Sequence, residues 1–107
     1  MADIIEINDA NFSDNVTNSK GLTVVDFYAP WCGPCRKLAD IVAQVADEFA
    51  GRIKVFKLNT DENLETAKLH SVSSLPTILI FKDGESVERI AGLTPKSTIV
   101  TNIEKHL

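Results

Sequence analysis

The residues of this sequence best suited to chemistry are two cysteines, Cys32 and Cys35, separated by Gly33 and Pro34. A thiol reacts as its thiolate, and a cysteine at the start of a helix meets unpaired N–H groups and the positive end of the helix dipole, both of which favour that anion. Cys32 stands just ahead of Leu38, Ile41, Val42, Val45, Ala46 and Phe49, whose spacing is that of one helix face. It is therefore expected at such a start. Lowering its pKa from about 8.5 to about 7 would raise the thiolate fraction at neutral pH from ~3% to ~50%, less some loss of intrinsic nucleophilicity. The two-residue spacer sets the Cys35 sulfur one helical turn behind, deeper, where the two can form a disulfide. Gly33 allows close backbone approach, and Pro34 in the first turn forgoes an N–H that would otherwise lack a partner.

Three other uses of the pair compete with redox exchange. A purely structural disulfide would close so small a loop that it removes only about 2 kcal/mol of unfolded-chain entropy, and a reducing compartment would open it. Structural zinc needs four ligands, and beyond the pair only His70 and His106 remain, far apart in sequence. Two inert core thiols conflict with a helix start flanked by Pro30, Trp31 and Pro34. Redox exchange is the favoured reading.

The elements that must carry these residues follow from periodicity. Ile4 to Ile7 reads as a short edge strand, with Asn8 and Asp9 as candidate caps for a helix holding Phe12 and Val16 and ended by Lys20-Gly21. Thr23 to Tyr28 is apolar on both side-chain parities, the mark of a central strand covered on two faces. The cysteine helix then runs to a C-cap at Gly51. Ile53 to Asn59 returns as a strand, and Thr60 or Asp61 can cap a helix through Leu64 and Ala67 to His70. Thr77 to Lys82 and Ser86 to Ala91 form a hairpin around Asp83-Gly84. Thr94-Pro95 opens a last helix carrying Ile99, Val100, Ile103 and Leu107. The order βαβαβαββα implies a mixed sheet flanked by helices, parallel inside, with an antiparallel edge. Sites in such sheets form beyond the C-terminal ends of parallel strands, where Cys32 lies.

Two charged residues stand in apolar surroundings. Asp26, between Val25 and Phe27, is expected to be buried whichever face it takes, with a raised pKa; the competing reading is a turn or cap acid. Lys57 shares parity with Ile53 and Val55, so its stem is expected on a buried face with the ammonium reaching outward, against the alternative of a solvated strand lysine. The five phenylalanines, Phe12, Phe27, Phe49, Phe56 and Phe81, are assigned to the core.

At 107 residues, with 44% hydrophobic and 24% charged positions, the chain is expected to form one domain spanning residues 1–107. A net charge of −4 argues against nucleic acid and anionic lipid as partners. The longest strongly apolar run, Ile78 to Phe81, is far short of the ~20 residues a bilayer span needs. The acidic start, Met1 to Glu6, lacks the basic residues of a secretory leader, so a cytoplasmic location is expected.

Trp31-Cys32-Gly33-Pro34-Cys35, preceded by Val25-Asp26-Phe27-Tyr28-Ala29, resembles the thioredoxin family, and the resemblance extends through Lys57-Leu58-Asn59, Pro76-Thr77, Phe81 to Glu85 and Gly92. It implies the thioredoxin fold and a monomeric protein-disulfide reductase that binds no cofactor, cycles between dithiol and disulfide at Cys32 and Cys35, and is recharged by a thioredoxin reductase dependent on NADPH or ferredoxin. Cys32 is then the nucleophile and Cys35 the resolving thiol. Asp26 assists proton transfer at Cys35 through water, with Lys57 tuning its charge. The resemblance also implies a cis bond before Pro76, presenting Leu75 to an extended target segment, and a docking surface of Trp31, Gly33, Pro34, Leu75, Pro76, Gly92 and Leu93. Core packing is the alternative for Leu75 and Leu93. Asp40, Tyr28 and Arg36 stand where many members have proline, tryptophan and lysine, which puts the helix kink in doubt. A disulfide oxidase or isomerase of the same fold, or a redox-independent partner-binding scaffold, are the other classes in play.

Overall fold

The computed structural model describes residues 4–107. Among them, five strands form one sheet in the order β1-β3-β2-β4-β5: β1 Ile5–Ile7, β2 Leu22–Tyr28, β3 Lys54–Asn59, β4 Thr77–Lys82 and β5 Glu85–Ala91. β1, β3 and β2 run parallel, and β4 and β5 are antiparallel. The helices are α1 Gly33–Glu48, α2 Leu64–Leu69 and α3 Lys96–Glu104, and the segment expected to hold a first helix is a single π-helical turn, Ser13–Thr17. The architecture is the expected mixed sheet flanked by helices.

The alternation along β2 divides the core. Leu22 and Val24 face a layer built by Leu38, Val42 and Val45 of α1 with Ile99 and Ile103 of α3. Val25 and Phe27 face the other way, onto Ile7, Phe12, Val16 and Phe81. Each such side chain contributes about 1.5–3 kcal/mol when fully buried, so β2 is held from both sides and its C-terminal end, which leads to Cys32, is firmly placed. All five phenylalanines are buried. The β4–β5 turn has positive φ at Asp83 (50°) and Gly84 (86°), as its Asp-Gly sequence predicts. A Cβ at Gly84 would also collide with the Thr17 carbonyl.

The helix ends differ from their sequence-based assignments. Asn8 and Asn11 accept each other's backbone N–H at 3.0 and 2.8 Å, and the π-helical turn has no side-chain cap. Asp9 instead reaches α2: its Oδ1 accepts the Thr66 N–H at 2.9 Å and the Thr66 hydroxyl at 2.5 Å, while Asn63 Oδ1 accepts the Asp9 N–H at 2.9 Å. Neither Thr60 nor Asp61 caps that helix; the Thr60 hydroxyl donates to the Tyr28 carbonyl at 3.2 Å. α1 is capped at Phe49, with Gly51 two residues further on. Pro95, extended at φ −62° and ψ 147°, takes the N-cap position expected for Thr94, so α3 starts only at Lys96 and has no side-chain cap. Leu107 lies beyond the end of α3 and is 54% exposed, so the buried stripe stops at Ile103.

Candidate functional site

β2 ends at Tyr28, and after three intervening residues the chain turns into α1 with Cys32 as its N-cap. Cys32 is extended there (φ −87°, ψ 111°), and its Sγ accepts the Cys35 backbone N–H at 3.2 Å, the place a serine or aspartate oxygen takes in an ordinary cap. The Pro30 carbonyl accepts from Arg36 at 2.9 Å, bracing the loop from one turn inside the helix. Cys32 and Cys35 are joined as a disulfide with their Cα atoms 5.2 Å apart. Both are buried, Cys35 the more deeply, and Leu75 packs against them together with Ala29 and Tyr28.

Behind the disulfide lies a cavity of about 250 Å³ lined by Asp26, Tyr28, Cys35, Ala39 and Lys57 among others. Asp26 is 4% exposed, and its Oδ1 has no hydrogen-bond partner among the described residues. Burial pushes its pKa up to about 7, while the Lys57 ammonium pulls the other way. Lys57 is half-buried, and its Nζ lies 5.9 Å from the centre of the Tyr28 ring. The Tyr28 hydroxyl donates to Glu6 Oε2 at 2.7 Å, and burial first, then that carboxylate, raise its pKa.

The opposite side of the cysteine loop is open. Trp31 is 69% exposed, its indole N–H donating to Asp61 Oδ2 at 2.8 Å. The ring lines a groove of about 430 Å³ together with Leu64, Ala67, Val72 and Leu75. The Leu75–Pro76 bond is cis, and the Pro76 carbonyl accepts the Gly92 N–H at 2.8 Å, which ties these two segments together. Pro34 and Leu93 are exposed, and Leu75 is half-buried. A Cβ at Gly33 would meet only Arg36, at 3.9 Å, so nothing within the chain itself demands glycine there. Asp40 sits exposed within an uninterrupted 16-residue α1.

Sequence reasoning overlooked three members of this neighbourhood. Asp61, taken for a cap, is the partner of Trp31; Tyr28, noted only as a departure, lines the inner cavity; and Glu6 meets Tyr28 across β3. Tyr28 shares the parity of Asp26 on β2, a signal the sequence does carry, whereas its meeting with Glu6 is set by strand register and that of Trp31 with Asp61 by how the loops come together. Among the described residues, no group of three or more His, Cys, Asp or Glu is placed to hold a metal ion, and no helix is long and apolar enough to cross a membrane. His70 instead packs against the rings of Phe12 and Phe81.

A helix-capping cysteine joined to the next turn, over a buried carboxyl and beside a cis proline, invites comparison with known proteins. The family model described as Thioredoxin matches residues 3–105. The chain belongs to the thioredoxin family. It is 44% identical over 102 residues to a thioredoxin of Synechocystis sp., covering 95% of each chain. It is 43% identical over 107 residues to thioredoxin 1 of Nostoc sp., with both chains fully covered. A chloroplastic M-type thioredoxin of Pisum sativum is 45% identical over 101 residues, which are 94% of this chain and 59% of that protein. The mixed sheet and its helices are thus the thioredoxin fold, and the Cys32–Cys35 pair supports thiol-disulfide oxidoreductase activity.

Proposed function

We propose that the chain is a protein-disulfide reductase, acting as a single-domain monomer in the cytoplasm. The Cys32 thiolate attacks one sulfur of a target disulfide, forming a mixed disulfide and releasing the other target sulfur as a thiolate. Asp26, ionised at that moment, accepts the Cys35 proton through water in the shared cavity. The Cys35 thiolate then attacks Cys32 Sγ, which frees the second target thiolate and closes the Cys32–Cys35 disulfide. Two electrons pass to the target, and a thioredoxin reductase, drawing on NADPH or ferredoxin, returns them.

The observation that carries this reading is the Cys35 N–H directed at Cys32 Sγ from the first turn of α1, since the same donor and the helix dipole favour the thiolate once the disulfide opens. Trp31, Pro34, Leu75 and Leu93 offer apolar surface around the sulfurs, and Gly33, Pro76 and Gly92 supply the backbone on which an extended target segment can lie. Lys57 moderates the charge of Asp26. Mixed-disulfide trapping tests the division of labour: Cys35→Ser should accumulate covalent complexes with targets and Cys32→Ser should not, and equal trapping by both would overturn it. Insulin reduction coupled in turn to each type of reductase identifies the electron donor. A reduction potential near the oxidising end of the thiol scale would make the protein an oxidase.

A further inference from the structure

The register of the sheet brings a second carboxylate into line with the buried one. β1, β3 and β2 lie side by side, setting Glu6 opposite Lys57 and Lys57 opposite Asp26. Residues in register share a face, and adjacent strands are ~4.8 Å apart, so on this face of the sheet the lysine stands in the row between two acids. The inner acid is buried and the outer exposed. Tyr28, on the same face, links the outer acid to the lysine: its hydroxyl is bonded to Glu6, and its ring lies beneath the Lys57 ammonium.

We propose that Glu6 is a positioning residue for proton transfer at Asp26, acting by drawing the Lys57 ammonium outward along the Tyr28 ring. A cation shared by two anions stabilises each less than it would stabilise one alone. With Glu6 ionised, Lys57 opposes the burial of Asp26 only in part, and Asp26 holds its proton near neutrality, where it can both give and take one. With Glu6 neutral, the ammonium leans inward and Asp26 ionises at lower pH. Directly, two charges ~10 Å apart in a water-like dielectric move a titration by about 0.3 pH unit, and the displaced ammonium brings the total to about 0.5. Of the other groups near the cavity, Arg36 and the disulfide-bonded Cys35 on α1 line it and Glu62 acts on Tyr28, while β4 sets the uncharged Ile78 opposite Asp26. Replacing Glu6 alters none of them.

The test is an NMR titration of the Asp26 carboxyl carbon in the oxidised protein, comparing the native chain with Glu6→Gln, Lys57→Met and the double variant. Glutamine still accepts the Tyr28 hydroxyl, so the local structure is retained while the charge is lost. The Asp26 midpoint should fall by about 0.5 unit in Glu6→Gln at low salt, by less when Lys57 is already methionine, and by less again in 0.5 M salt, where screening acts within ~4 Å. A midpoint that does not move, or that moves as far without Lys57 as with it, overturns the proposal. It builds on the reductase reading, yet the two can fail separately. Absence of insulin reduction at every pH beside a shifted midpoint defeats the reductase alone, whereas insulin reduction beside an unshifted midpoint defeats the role of Glu6 alone.

Discussion

The two helices that frame the site begin in opposite ways. α1 is capped by its own first residues, with Cys32 Sγ accepting an N–H three positions on. α2 is capped by Asp9, 57 residues away from the Thr66 it binds. α1 also has 16 residues and a deep apolar face, whereas α2 has six and leaves Leu64 59% and Leu69 76% exposed. A helix of that length is not stable by itself. The reacting end of the site is therefore built from local sequence on a long helix, while the α2 side of the Trp31 groove depends on tertiary ties: Asp9 at its start, and at its end Arg89, which donates to the His70 carbonyl, with His70 packed on Phe12 and Phe81. Chemistry and docking should be separable by mutation.

The strongest break of the comparison is Cys32→Ser. Serine is a better N-cap than cysteine, so α1 keeps its start, yet disulfide exchange should fall by about 10³-fold or more because the hydroxyl is not a competent nucleophile at neutral pH. Insulin turnover measures it. Residual activity above a tenth of native would mean that Cys32 does not carry the attack.

The same contrast explains what could be read from the sequence. The cysteine helix was legible because its apolar stripe, the proline in its first turn and the capping residue lie within one window. The burial of Asp26 was legible because both parities of β2 are apolar, which leaves an acid no exposed side. Asp9 was not: its sequence position marks it as a cap, and it is one, but of a helix brought to it by the parallel pairing of β1 with β3. Thr94 failed for a smaller reason, since the extended proline after it delays the helix by a residue. Glu6 and Tyr28 escaped notice because their meeting across β3 is set by register, and register is a property of the assembled sheet.

Asp26→Asn comes next in size, and it bears on the α1 side. A carboxyl whose pKa is 3.8 in the unfolded chain and about 7 when folded binds a proton in the native state that the unfolded chain releases. Stability accordingly falls as the pH rises from 3.8 to about 7, and levels off above. The cost at high pH is up to about 4 kcal/mol, and the asparagine variant should recover most of it there while showing little gain at pH 4. Urea unfolding across that range gives the answer; a gain independent of pH would trace to packing instead. Turnover should drop in the same variant if Asp26 receives the Cys35 proton as proposed.

The smallest effect, and the one that separates the two helices most cleanly, belongs to Asp9→Ala. Loss of the acceptor for the Thr66 N–H and hydroxyl should cost about 1–2 kcal/mol. Asp9 titrates below its usual range because, although burial acts the other way, the Thr66 side chain and backbone bond its ionised form. Its contribution is thus present above pH 3.8 and fades as the pH falls through the lowered value, so native and variant should converge in acid. Asn at this position keeps an acceptor and should lose less than Ala. Hydrogen exchange should quicken in α2 with little change in α1, and the rate of Cys32 alkylation in the reduced protein should stay within about twofold of native. Should alkylation slow in step with the loss of α2 protection, the cysteine end would not be locally built, and both helix starts would have to be treated as one cooperative unit.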